Sequence, residues 1–175
     1  MRILTSSGNY FKFDDLESNV IDIRSIGHSI SKLCRFNGHT KRHYSVAQHS
    51  VITSHLVPKE HAFKALMHDS HEAFSGDITR PILMMFPELQ AFEKRIQKFV
   101  LSRFGIDDLP DCVHHADMVA LATEKRDVCV NPLDDSYEWT SIAGIEPMKD
   151  IIVPWEAPDA YIKFLHRFKQ LGGQL

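Results

Sequence analysis

KALMHDSHEAFSGDITRP, residues 64–81, places His68, Asp69, His71, Glu72 and Asp77 within one short stretch. The longer run KEHAFKALMHDSHEAF, 59–74, reads as a helix whose first turn follows Val57-Pro58, where proline is tolerated. The run before that proline, YSVAQHSVITSHL at 44–56, reads as a second helix, and the two are expected to pack as neighbours. Upstream, Ile23, Ile26, Ile30 and Leu33 recur at threes and fours, predicting a helix from Ile21 that stops at Asn37-Gly38. Downstream, PELQAFEKRIQKFVLSRFG (87–105) lines up Leu89, Phe92, Ile96, Phe99, Val100 and Phe104 before a terminal glycine. DCVHHADMVALATEKRD (111–127) predicts another helix, with a break near the Asn131-Pro132 step, and Pro158 to Leu171 predicts a last one. The exception is the N-terminus, where Ser6-Ser7-Gly8-Asn9 separates RILT from YFKF as in a small β-hairpin. The expected fold class is mainly α with that hairpin in front, while PMKDIIVPWEAP is too rich in proline to assign.

The chain has 175 residues, 43% hydrophobic and 25% charged, which suits one domain, 1–175, with a proper core and no disordered tail. No internal repeat or composition shift marks a second unit. No apolar run reaches the roughly 18 residues of a membrane span, and MRILTSSGNYFKF lacks a signal-peptide layout, so no membrane role and a cytoplasmic location are expected. A net charge of −3 argues against general binding to nucleic acid. Cys34, Cys112 and Cys129 form no metal-binding pattern and read as core thiols. Eleven histidines stand out, because imidazole is the commonest transition-metal ligand.

His68 and Asp69 are neighbours on the proposed helix, about 100° apart around its axis, so both can reach one ion at the helix edge. His49 in the preceding helix and Asp117 in a later one are available to complete the set. Each also has an ordinary reading: His49 as a hydrogen-bonded core histidine, Asp117 as a surface carboxylate, His68-Asp69 as a solvated pair.

In the order His49, His68-Asp69, Asp117, the chain resembles the HD-domain superfamily of metal-dependent phosphohydrolases. The stretches IGHSISKLCRFNGHT, HYSVAQHSV, ALMHDSHEAFSGDITRP and ADMVALATEKRD resemble a phage and prophage subgroup acting on deoxynucleotides, strongly over residues 8–127 and loosely beyond. The resemblance implies an HD-domain helical bundle. It also implies a divalent ion, with zinc, cobalt or manganese foremost and magnesium at a second site, and a small-molecule deoxynucleotide substrate. Two activities occur among such relatives: 5′-deoxynucleotidases release orthophosphate from monophosphates, and phage triphosphohydrolases of the DatZ type convert dATP to deoxyadenosine and triphosphate. The compact length, the hairpin and CRFNGHT favour the second, which would deplete dATP in favour of a modified purine. Relatives of that type imply a homo-oligomer, with a hexamer as first expectation. A degenerate module that binds nucleotides without turnover, and a cyclic-nucleotide phosphodiesterase, are the remaining readings.

Glu72, four residues after His68 and three after Asp69, is placed to orient a water or support a second cation. Asp77, after Gly76, matches a family position that assists departure of the nucleoside, and also reads as an N-cap for a helix entering at Ile78. Arg35, His39, Lys41, Arg42 and His43 form a basic cluster for phosphate, with Arg35 and His39 ranked first because they match the family segment. Lys125, on nearly the same helix face as Asp117, ranks next, with Arg80 and Arg126 as further candidates. Ile21 and Ile23, behind Asn19 and Val20, are assigned to an aliphatic wall that selects the base, although their spacing equally suits plain core residues. His71 is left outside the ligand set, and His114-His115 are expected at a surface or interface.

Overall fold

The computed structural model describes residues 1–131, 133 and 137–175, so the expected break at Asn131-Pro132 lies in part outside the described residues, at Pro132. Strands β1 (Arg2–Leu4) and β2 (Tyr10–Lys12) pair antiparallel with Ile3 opposite Phe11. One side chain fastens this hairpin to the helices. Phe11 is buried, stacked on Phe74 at 4.1 Å and edge-on to Phe99 at 6.2 Å.

Helix α1 (Ile23–Lys32) begins where Asp22 accepts hydrogen bonds from the backbone N–H groups of Arg24 and Ser25. It is shorter at both ends than the periodicity predicts, because Leu33 turns extended and residues 35–38 form a tight turn. Helix α2 (Val46–Thr53) is capped by Ser45, whose hydroxyl accepts from the Gln48 N–H. The helix predicted over 59–74 is divided into α3 (Ala62–Met67) and α4 (Glu72–Ser75). Next come α5 (Arg80–Met85) and α6 (Pro87–Ser102), each with proline in its first turn, then α7 (Asp111–Asp127) and α8 (Ala157–Gln170).

One core joins the hairpin with α1 to α4, α6 and α8, with Ile26, Ile30, Val46, Leu66, Ile96, Val100 and Phe164 fully buried in it. α8 lies along α1 and α2. At Gly27 the approach is close enough that a Cβ would sit 3.2 Å from the Phe164 ring and 3.3 Å from that of Tyr161, so glycine sets the α1–α8 spacing. A smaller cluster of Tyr44, Val128 and Ile152 closes the other side, joined by Phe36, Cys129 and Met148. The unassigned PMKDIIVPWEAP segment crosses this region extended. Gln48 holds it, donating to the Val153 carbonyl at 2.9 Å and accepting from the Trp155 N–H at 2.8 Å. No helix among the described residues is long and apolar enough to cross a membrane. The three cysteines are half-buried and free, rather than core residues proper.

Candidate metal centre

The division between α3 and α4 falls on the residues that matter most. Through 68–71 the backbone bonds tighten, Ser70 N–H reaching Met67 O and Glu72 N–H reaching Asp69 O. The freed carbonyl of His68 accepts instead from the Gln97 side chain of α6 at 3.0 Å. Asp69 and Glu72 thus sit on a tight turn pinned to α6, and the single regular helix expected there is corrected to two short ones.

His49 from α2, His68 and Asp69 from this turn, and Asp117 from α7 converge. His49 Nε2 lies 3.3 Å from His68 Nε2, 3.4 Å from Asp69 Oδ2 and 3.2 Å from Asp117 Oδ1. His68 Nε2 lies 3.1 Å from Asp69 Oδ2 and 4.0 Å from Asp117 Oδ1. Four ligand atoms arranged tetrahedrally about an ion at bonds of ~2.1 Å stand about 3.4 Å apart. Four of the five distances, 3.1–3.4 Å, match that spacing, His68 to Asp117 is longer at 4.0 Å, and the mutually close group is His49, His68 and Asp117.

Its hydrogen bonds fix which ring nitrogen faces inward. His68 Nδ1 donates to the Ala65 carbonyl at 2.8 Å, and His49 Nδ1 donates to Glu124 Oε1 at 2.6 Å. Both rings can then turn an Nε2 lone pair towards the two carboxylate oxygens, with no neutral donor at the centre. Four convergent acceptors require a cation or protons. Without a cation the pocket takes up protons. Burial and the Arg35 charge depress His49, but Glu124 and Asp117 outweigh them and raise it to about 9. Burial likewise opposes, and Asp69 overcomes, in His68, which is raised. Asp69 itself is held far below the usual carboxylate range against its burial, first by His68. The donor set thus fits a divalent ion, and the triad His49, His68 and Asp117 is a possible metal-binding group.

Glu124 is the residue that sequence reasoning missed. It is fully buried in α7, accepts from the Tyr44 hydroxyl at 2.8 Å and from Arg35 Nε at 3.1 Å, and orients His49. Burial raises its pKa, yet Arg35 and His49 outweigh that and hold it at about 2. A signal was available, since Glu124 follows Asp117 by two helical turns on the same face.

Arg35 is where its sequence position suggested, nearly buried beside the cluster, with a nitrogen 3.8 Å from Asp69 Oδ2. It stands on a strained turn: Phe36 and Asn37 both have positive φ, 55° and 51°. Glu72 is buried, and its Oε2 has no partner among the described residues. Burial, then Asp69 and Asp77, raise its carboxyl well above the ordinary range. Asp77 is raised by burial and by Asp69 although Arg35 opposes, and Glu93 of α6, also unforeseen, reaches about 7 through burial, Asp69 and Asp77. Asp77 is not an N-cap. Thr79 occupies that position for α5, two residues later than Asp77, and makes no side-chain cap bond.

Other expected residues stand elsewhere. His39 and Arg80 are exposed. Lys125 places its ammonium 5.4 Å from the centre of the Trp139 ring, and Trp139 in turn lies 6.0 Å from Phe36. Lys41 donates to the Asp127 carbonyl, Arg42 pairs with Glu156, and Arg126 binds Asp127 and the Met148 and Asp150 carbonyls. His43 is engaged by Cys34 and the Ser31 carbonyl. Ile23 is buried in the main core and Ile21 packs against it, so the ordinary reading of these isoleucines holds over that of an open wall. Asn19, next to them, is spent on backbone bonds to Lys12 and the turn before α1. His71 is buried, and its burial lowers it to about 4, while His114 and His115 are exposed.

Fold and site together define a mainly helical protein with a small N-terminal hairpin and a pocket where two imidazoles meet two carboxylates, His49, His68 and Asp117 among them forming a possible metal-binding group. No family profile matches the chain. It is similar over nearly its full length to Uncharacterized protein YfdR of Escherichia coli (strain K12), 39% identical over 172 residues, which are 97% of this chain and 95% of that protein. The chain belongs to the family of that protein.

Proposed function

We propose that this protein is a metal-dependent phosphohydrolase of the HD type that acts on deoxynucleotides, with conversion of dATP to deoxyadenosine and triphosphate as the first assignment. The observation that carries the hydrolytic reading is the convergence of His49, His68, Asp69 and Asp117 with the buried, unpartnered carboxyl oxygen of Glu72 beside it. The choice of dATP rests on the resemblance of the CRFNGHT and GDITRP segments to phage enzymes of that activity.

His49, His68, Asp69 and Asp117 would hold a divalent ion, which when bound would supply positive charge to a phosphate oxygen and acidify a nearby water. The protein does the rest. Arg35, fixed by Glu124, offers its outer nitrogen to a second phosphate oxygen in place of its long contact with Asp69. Glu72 Oε2, buried without a partner, accepts a hydrogen bond from the attacking water and orients it. Asp77, raised towards its protonated form, donates a proton to the departing 5′-oxygen.

A second reading, a 5′-deoxynucleotidase, is favoured by one observation. Of the basic residues near CRFNGHT, Lys41, Arg42 and His43 already have partners, which leaves less free charge for a triphosphate than for a monophosphate. Anion-exchange separation of products from cobalt- or manganese-loaded protein, incubated with each deoxynucleoside triphosphate and monophosphate, decides. Deoxyadenosine and triphosphate from dATP alone are expected. Orthophosphate from monophosphates moves the assignment to the second reading, and no turnover of any nucleotide rejects both.

A further inference from the structure

The two edges of the N-terminal hairpin are finished differently. Thr5 N–H donates to the Asn9 carbonyl and Phe13 N–H to that of Met1, so hydrogen-bonded pairs alternate along the ladder, with Ile3 and Phe11 as the pair between. Arg2, Leu4, Tyr10 and Lys12 therefore turn their backbone groups away from the opposite strand. On the β2 side that outer edge is closed. Buried Asn19 accepts from the Lys12 N–H at 2.7 Å and donates to the Lys12 carbonyl at 2.9 Å, standing in for a third strand. On the β1 side, among the described residues, the N–H and C=O groups of Arg2 and Leu4 have no backbone partner and no counterpart of Asn19. Such an edge is a template for another strand.

The open edge borders a groove of about 480 Å³ between the hairpin and α1. Ser6 and Ser25, their hydroxyls 2.9 Å apart, join strand and helix at one end. Lys32 lines the other end, about 10 Å further along α1, which is the length of three residues of strand. Its ammonium lies 2.9 Å from His28 Nε2, and no acidic residue lines the groove. Ile3 shares a hairpin face with buried Phe11 yet is 37% exposed, because the groove undercuts it. One wall thus offers free backbone donors and acceptors, with an apolar side chain beside them and a cation without an acid at the end.

We propose that β1 takes an added strand from a partner protein, an extended segment with an apolar residue and, two positions along, an aspartate or glutamate. Alternate side chains of that strand point into the groove about 6.8 Å apart, the apolar one against Ile3 and the acidic one towards Lys32 and His28. Bonds to the Arg2 and Leu4 backbone hold any extended segment, and the two side chains select this one. The edge is linked to the site. Phe11 stacks on Phe74 of α4, Ser29 of α1 donates to the Ala73 carbonyl at 3.1 Å, and α4 begins at Glu72. The proposal rests on the hairpin alone and stands apart from the hydrolytic reading.

Proton–nitrogen correlation NMR of the full chain, with no N-terminal tag, tests it with the capped peptide Thr-Ile-Thr-Glu-Thr as probe. The Arg2 and Leu4 amides should shift and saturate with a Kd below about 1 mM, and the same peptide with Lys in place of Glu should bind about tenfold more weakly or worse. Lys32→Glu should reverse that preference. Leu4→Pro removes one outward N–H and spares the bonds between β1 and β2, so it should abolish binding with an unchanged circular-dichroism spectrum. Unshifted β1 amides at millimolar peptide, equal binding of the two peptides, or binding that survives Leu4→Pro overturns the proposal. Two other results overturn it as well. Oligothymidylate that shifts His28 and Lys32 where the peptide does not would make the groove a phosphate contact, and Arg2 and Leu4 amides that shift when the protein alone is concentrated would make the edge a contact between copies.

Discussion

The floor of the site and its rim are built by opposite rules. On the floor, buried Tyr44, His49 and Glu124 and the nearly buried Arg35 answer one another, both Glu124 oxygens and the His49 Nδ1 being engaged. On the rim, Glu72 keeps a buried oxygen without a partner, and Phe36 and Asn37 hold a strained backbone. A fully satisfied network fixes geometry, whereas unsatisfied groups and strain mark where an arriving ligand completes the bonding.

The largest effect is expected where the two meet. Asp69→Ala removes one of four convergent donors and should abolish metal-dependent turnover while leaving a cooperative unfolding transition, a pair of outcomes checked by product assay and urea denaturation. Breaking the floor should cost stability. Glu124→Ala leaves Arg35 and His49 buried without their counter-charge and should destabilise by about 3–5 kcal/mol, read from the shift in urea midpoint. The milder Glu124→Gln keeps an acceptor for His49 and should lower metal affinity about 10–100-fold, measured by competition with a chromogenic chelator.

A rim prediction concerns pH. Glu93 is raised from 4.5 to about 7, so the folded chain binds its proton more tightly than the unfolded chain does. Stability from this group is therefore full below 4.5 and lost as pH rises to about 7. Glu93→Gln in chelator-treated protein should raise the urea midpoint at pH values above that window and change little below it. The group is half-exposed, so after solvent screening the gain should be on the order of 1 kcal/mol or less. An equal gain on both sides of the window contradicts the assignment. The smallest test separates strain from packing at the turn. Asn37→Gly should be neutral to within about 0.5 kcal/mol, and Asn37→Val should cost about 1–2 kcal/mol, because a β-branched residue resists positive φ.

The long amphipathic elements were legible because their periodicity is their packing. α6 and α8 bury the faces that the spacing of Ile96, Phe99 and Val100, or of Ala160, Phe164 and Phe168, points to. The hairpin was equally plain from its turn residues. Of the site, His49, His68, Asp69 and Asp117 were read together, and the structure brings an atom of each of the other three within 3.4 Å of His49 Nε2. Glu124 was hidden because a glutamate followed by Lys125 and Arg126 reads as a solvated helix end. Its burial depends on Arg35, 89 residues away, and Tyr44, 80 residues away. The break at 68–71 was hidden for a similar reason. No glycine or proline marks it, and the carbonyl it releases is satisfied by Gln97 from another helix. The isoleucine wall shows the limit of periodicity, which places Ile23 on an inward face without saying whether core or ligand lies there.

Titration of chelator-treated protein with cobalt(II), followed by visible absorption, tests the central claim that these four side chains hold one divalent ion. A spectrum of tetrahedral or five-coordinate cobalt that saturates at one ion per chain, and is lost in both His68→Ala and Asp69→Ala, is the predicted result. Cobalt binding that is unchanged in those two variants would contradict it.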